Sequence, residues 1–206
     1  MGIPVLILGP SGSGKSTSMR NFEPENIRIF NVAGKPLPFR KKLLKIDNPS
    51  YGMIMKALAK ADLKAYVIDD SQYLMAFESF DRAKETGYTK FTDIAVHFRD
   101  LVNLVVRGTP TDCIVYFLHH TETMDNGTVK AKTLGKMLDN QLTLEGLFSI
   151  VLLCQRDKDG YHFVTQSDGF TPAKSPMDMF DTVIDNDLAM VDKTIREYWN
   201  LGGTKE

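Results

Sequence analysis

The chain has 206 residues, of which 43% are hydrophobic and 25% charged, and a net charge of −1. This composition excludes a chain dominated by disordered or low-complexity sequence. The near-zero charge excludes a globally basic nucleic-acid binder, so any such contact must come from local patches. No apolar run reaches the length of a membrane span, and residues 3–8 are too short for a secretory leader. The expectation is a single cytoplasmic domain over residues 1–206 with no membrane partner.

The first apolar run, IPVLIL at 3–8, reads as a buried strand. It breaks into GPSGSGKS at 9–16, followed by a helical stretch at 15–22. The spacing G-x-x-x-x-G-K-S is that of a nucleotide phosphate loop. Backbone N–H groups must curl around an anion, which glycine permits. Gly9, Pro10, Ser11, Gly12, Ser13, Gly14, Lys15, Ser16 and Thr17 are therefore the candidate contacts for ATP. Lys15 supplies charge for the β- and γ-phosphates, and the Ser16 hydroxyl is a candidate Mg²⁺ ligand. A surface turn has a similar composition, but a preceding strand and a following helix are the context in which the motif binds phosphate.

IRIF at 27–30 reads as the next strand. It precedes a basic cluster at 35–45, with Lys35, Arg40, Lys41, Lys42, Lys45 and the ring of Phe39. A helical pattern at 49–61 leads to AYVIDDS at 65–71, a strand ending in two carboxylates. Asp69 is the candidate Mg²⁺ ligand and Asp70 the candidate for orienting or activating water. Both also suit the cap of a helix starting near Ser71. Helical patterns at 72–84 and 91–106 precede CIVYFLHHTET at 113–123. Its His119 and His120 sit at a strand end, where alternation sends one toward the ligand crevice and the other toward a helix. A second basic cluster, MDNGTVKAKTLGKM at 124–137, holds Lys130, Lys132 and Lys136, and its glycines and polarity suggest a mobile loop.

FSIVLLC at 148–154 is a further strand, and RDKDG with YHFVTQ (156–166) reads as a hairpin. Residues 186–199 read as a closing amphipathic helix, capped by Asn186 or Asp185 and ended by Gly202 and Gly203. Cys113 and Cys154 lie in apolar runs and read as buried thiols. Short, wholly apolar strands alternating with helices imply an α/β fold with a mainly parallel central sheet, flanking helices and a C-terminal antiparallel hairpin.

The early phosphate loop, FNVAGKPLPF (30–39), VIDDS, FRDLVNLV (98–105), YFLHHTE (116–122) and AKSP (173–176) together resemble the phage-encoded RecA-like ATPases over most of residues 1–190. The resemblance includes the Sak-four type associated with single-strand DNA annealing. It implies a P-loop NTPase with a RecA-like core that hydrolyses ATP with Mg²⁺ as a homo-oligomeric ring or filament on single-stranded DNA. It also implies a single-strand-binding or annealing protein as partner and the host cytoplasm as location. A strand-end residue such as His119 or His120 would sense the γ-phosphate, and Lys174 would reach a neighbouring subunit's nucleotide. Lys130, Lys132 and Lys136, with Arg40, Lys41 and Lys42, would contact DNA. The chain departs from the pattern twice: Pro176 stands where a second basic residue is expected, and Asn31 where a glutamate often follows the second strand. A nucleotide-switched, helicase-loader-like module and a small-molecule or nucleoside kinase are the competing readings.

Overall fold

A computed structural model of the chain describes residues 1–134 and 142–202. Strand β1 (Ile3–Gly9) lies at the middle of a sheet, paired in parallel with β5 (Ile114–Thr123) and β7 (Ile150–Asp157). Outside β5 come β4 (Ala65–Asp69), β2 (Ile27–Asn31) and β3 (Lys45–Asp47), all parallel. Outside β7 the sheet becomes antiparallel through β8 (Gly160–Val164) and β9 (Val183–Asp185). A short strand β6 (Val129–Ala131) folds back on the end of β5. The molecule is thus α/β, with a mostly parallel sheet, flanking helices and a C-terminal antiparallel hairpin.

The strands are apolar throughout because both faces of the sheet are covered. Leu6, Leu8, Phe30, Tyr66, Ile68 and Phe117 point to one face. There they meet α1 (Tyr51–Lys60), α2 (Gln72–Asp81) and α3 (Thr89–Gly108). Val5, Ile7, Ile29, Val67, Tyr116 and Leu118 point to the other. Met19 and Leu188, Val191 and Ile195 of α4 (Leu188–Tyr198) pack on them. Each such side chain contributes about 1.5–3 kcal/mol relative to exposure. Among the described residues, no helix is long and apolar enough to cross a membrane.

Four local expectations are corrected. The stretch at 15–22 is a six-residue 3-10 helix, Ser16–Asn21, rather than a longer regular helix. Pro24 holds Glu23 extended, at ψ 140°, and Ser18 bonds back to the Lys15 carbonyl at 2.5 Å. The cap of α4 is Asp187, which accepts from the Ala189 and Met190 amides. Asn186 is instead buried, bonding Arg20 and Cys154. Within the basic stretch 124–137, read from sequence as a loop, residues 129–131 form the second strand of a hairpin with β5, closed by Met124 N–H to Thr128 O at 2.8 Å, and residues 135–137 lie outside the described residues. Phe39 is partly buried and packs against the core below the first basic cluster, so part of its ring is already covered. Both cysteines are free and buried.

Register places the chemistry on one edge. Gly9 lies opposite His120, and Asn31 opposite Asp69. The carboxyl ends of β1, β2, β4 and β5 therefore converge, the side of an open parallel sheet where ligands bind.

Candidate functional site

The loop at 9–16 leaves β1 and turns back through two glycines in the left-handed region, Gly12 (φ 78°) and Gly14 (φ 98°). A Cβ on Gly9 would meet Ser13 Oγ at 2.4 Å and the Cys154 carbonyl at 2.7 Å. A Cβ on Gly14 would meet the Tyr161 ring at 2.6 Å. Lys15 lies folded across the loop, its ammonium donating to the Gly9 carbonyl at 2.8 Å and the Pro10 carbonyl at 2.9 Å. Burial lowers the Lys15 pKa, partly offset by Asp70, Cys154 and Asp69.

Ser16 Oγ donates to Asp69 Oδ1 at 2.9 Å. This bond joins the loop to the end of β4, across 53 residues of sequence. Burial, and secondarily the neighbouring Asp70, pushes the Asp69 carboxyl up to about 6. Asp70 is different. Its backbone is left-handed at φ 59°, and its carboxylate accepts from Lys35 at 3.0 Å and from His120 Nε2 at 3.1 Å. Burial pushes Asp70 upward, but the hydrogen bonds from His120 and Lys35 outweigh it and hold the carboxyl below its ordinary value. Two adjacent carboxylates thus differ in proton affinity because one is buried and the other is paired by two donors. Asp70 does not cap α2, and the Ser71 side chain makes no capping bond either.

The histidine pair separates by alternation. His120 faces the loop and lines, with Lys15, Lys35, Asp69, Asp70 and Tyr161, a cavity of about 310 Å³. His119 is fully buried on the opposite side, against the edge of Phe98, and this removes it from the candidate contact set. Its Nε2 lies 2.8 Å from the Lys132 carbonyl, which only accepts, so Nε2 carries the hydrogen. Nδ1 then accepts from the Ser71 hydroxyl at 2.9 Å. Desolvation lowers this imidazole to about 4.

Other expected residues disperse. Lys174 pairs its backbone with Val151 at 2.8 and 2.9 Å. Val151 lies beside Leu6, three residues short of Gly9, so Lys174 does not line its own chain's cavity. Lys130 is ion-paired with Glu122 at 2.8 Å, and Lys41 with Glu23 at 3.0 Å. Arg40, Lys42 and Lys132 are exposed. Lys132 is also tied by its amide to the His120 carbonyl at 2.8 Å. Lys136 lies outside the described residues.

Three residues enter the site without having been assigned to it. Lys35 belongs in sequence to the first basic cluster, but its ammonium reaches Asp70 at 3.0 Å. Asn31 donates to the Lys35 carbonyl at 2.7 Å and to Asp47 Oδ1 at 2.5 Å, bracing the turn that carries Lys35. Asn31 is the last residue of β2 and Lys35 lies just beyond it, a positional signal the sequence carries. Tyr161 comes from the antiparallel extension, and nothing in its sequence neighbourhood marks it.

The residues present fit a nucleoside triphosphate with a hard divalent cation. Ser13 Oγ is buried at the base of the loop, without a hydrogen-bond partner among the described residues. The loop backbone occupies conformations a side chain would block, and Ser16 and Asp69 offer two hard oxygens side by side. Among the described residues no cluster of three or more His, Cys, Asp or Glu is arranged to hold a metal alone, whereas Mg²⁺ takes few protein ligands and completes its shell with phosphate and water. No family model matches the chain, and no curated protein matches it.

Proposed function

We propose that this chain is a P-loop nucleoside triphosphatase with a RecA-like core, binding ATP–Mg²⁺ in the cavity between residues 9–17 and the ends of β2, β4 and β5. The observation that carries the reading is the 2.9 Å bond from Ser16 to Asp69. It brings the hydroxyl of the lysine–serine motif to the strand-end carboxylate, the two groups that share one Mg²⁺ in this class of site. Bound there, Mg²⁺ would neutralise phosphate charge. Lys15 would exchange its two carbonyl acceptors for phosphate oxygens, and backbone N–H groups of the loop would hold the anion. The Lys35 ammonium, which keeps further protons while on Asp70, would face the outermost phosphate as a donor, and the His120 Nε2–H would turn to it only by leaving Asp70.

The further reading is a homo-oligomer acting on single-stranded DNA in recombination or replication. The tie from Lys132 to both histidines supports it. That tie links an exposed cation on the β5–β6 hairpin to the wall of the nucleotide cavity.

A nucleotide-switched module with slow turnover is the second reading, and a specific observation favours it. Asp70 is engaged by two donors, and a carboxylate so held is a weak base toward water. ATP binding and phosphate release, measured with and without Mg²⁺ and single-stranded DNA, separate the readings. Hydrolysis stimulated by DNA supports the first, and tight binding with negligible release the second. No binding of any nucleotide by the folded chain would sink both.

A further inference from the structure

A larger cavity, of about 560 Å³, opens among α1, α2 and α3 and shares no lining residue with the site above. Its size falls within the roughly 300–1,000 Å³ of small-molecule sites. Val32, Met55, Leu74 and Phe77 form an apolar wall, and Glu78, Asp81 and Asp100 line it with carboxyl groups, Asp100 already paired with Arg99 at 2.7 Å. Among the described residues lining it there is no lysine or arginine.

Two lining residues carry a buried oxygen without a hydrogen-bond partner among the described residues: the Tyr51 hydroxyl and Glu78 Oε2. The other Glu78 oxygen is taken, facing Arg82 at 3.2 Å and His97 Nδ1 at 2.9 Å. The Tyr51 ring packs on His97 with centroids 5.9 Å apart, so these groups form one cluster. A buried acceptor left unpaired is costly, and native proteins seldom keep one without a use. An apolar wall with carboxylates and no lining cation matches a ligand that is apolar at one end and positively charged at the other.

We propose that this cavity binds a small organic cation, a primary ammonium on an alkyl or aryl body. The ammonium donates to Glu78 Oε2 and to the Tyr51 oxygen, while the body lies on Met55, Leu74 and Phe77. Arg82 and His97 stay on Glu78 Oε1, holding the carboxylate in place.

The test titrates hexylamine, phenethylamine and hexanol into the full chain at constant ionic strength, by calorimetry and by amide NMR. The amines are expected to saturate, with shifts centred on Tyr51, Glu78 and His97, and hexanol to bind about tenfold more weakly or worse. Glu78→Gln and Tyr51→Phe should each weaken the amines, Glu78→Gln by about tenfold. Equal affinity for hexylamine and hexanol would overturn the proposal. So would shifts that never saturate, the result expected if a water bridges the two oxygens and nothing else binds. Should Glu78→Gln fail to fold, Tyr51→Phe decides, because it removes a single oxygen. Unchanged amine affinity in that variant overturns the site.

Discussion

Lys15, Asp69 and Asp70 have distinct environments, and their substitutions should fail in distinct ways. If the loop binds a nucleotide as proposed, Lys15→Ala removes a charge the phosphates would need, so nucleotide affinity should fall about 10–100-fold while the fold persists, read by titration of a fluorescent nucleotide. Asp69→Asn should weaken Mg²⁺-dependent binding, since an amide is a poorer ligand for a hard cation. Asp70→Asn tolerates the left-handed backbone but frees Lys35 and His120, so its effect should fall on turnover more than on binding. A wild-type hydrolysis rate in Asp70→Asn would move the water-handling role elsewhere. His119 makes a pH prediction. Its imidazole takes a proton near 6.5 when unfolded but only near 4 when folded. The unfolded chain therefore binds the extra proton in that window, and the stability His119 confers is complete above about 6.5 and lost as pH falls toward about 4. The full window corresponds to about 3 kcal/mol. Asp69, raised to about 6, acts in the opposite sense, so the readout is a difference. Denaturant melts across this range should show a flatter acid limb for His119→Gln than for wild type.

Elements differ in how far the sequence announces them. The five apolar runs all become strands because a doubly covered sheet leaves little polar alternation to obscure them. The three-residue strands β3, β6 and β9 carry no such signal. Their pairing comes from neighbours already placed, as when Val129–Ala131 is templated by the overhanging end of β5. The phosphate-type loop and the Asp69–Asp70 pair were legible because glycine spacing and strand-end carboxylates are local. Lys35 and Tyr161 were not, since their role depends on which strand lies beside which. The cap of α4 falls one or two residues later than sequence alone suggests, because Asp185, Asn186 and Asp187 are all good caps in isolation and the burial of Asn186 decides. Asp187→Ala should cost about 1 kcal/mol in a urea melt; no loss would mean Asn186 or water serves instead. On the β5–β6 hairpin, Lys130 is held by Glu122, so Lys132 is the stronger candidate for DNA. Lys132→Ala should lower the magnitude of the log–log salt slope for single-stranded DNA by about 0.7. An unchanged slope would exclude this hairpin as the binding surface.

For the molecule as a whole, the position of Lys174 bears on assembly. Its backbone sits beside Val151 and it does not line its own chain's cavity, so on the proposed reading its part in turnover would be at another copy's site. Specific activity should then rise with protein concentration, and Lys174→Ala should reduce turnover with little change in nucleotide affinity. Light scattering that finds only monomer with a nucleotide analogue present would count against assembly. The chain also contains its own clock. Cys154 lies under the phosphate-type loop, its thiol 3.0 Å from the Ser13 carbonyl and 3.2 Å from the Asn186 amide. Burial raises that thiol to about 11, so a disulfide reagent reaches a reactive thiolate only when the loop lifts. With two cysteines in the whole chain, and Cys113 far away in sequence just before β5, a Cys113→Ser variant would give a single-exponential labelling trace. Its rate would time the opening of the loop, and any ligand seated there should slow it in proportion to occupancy.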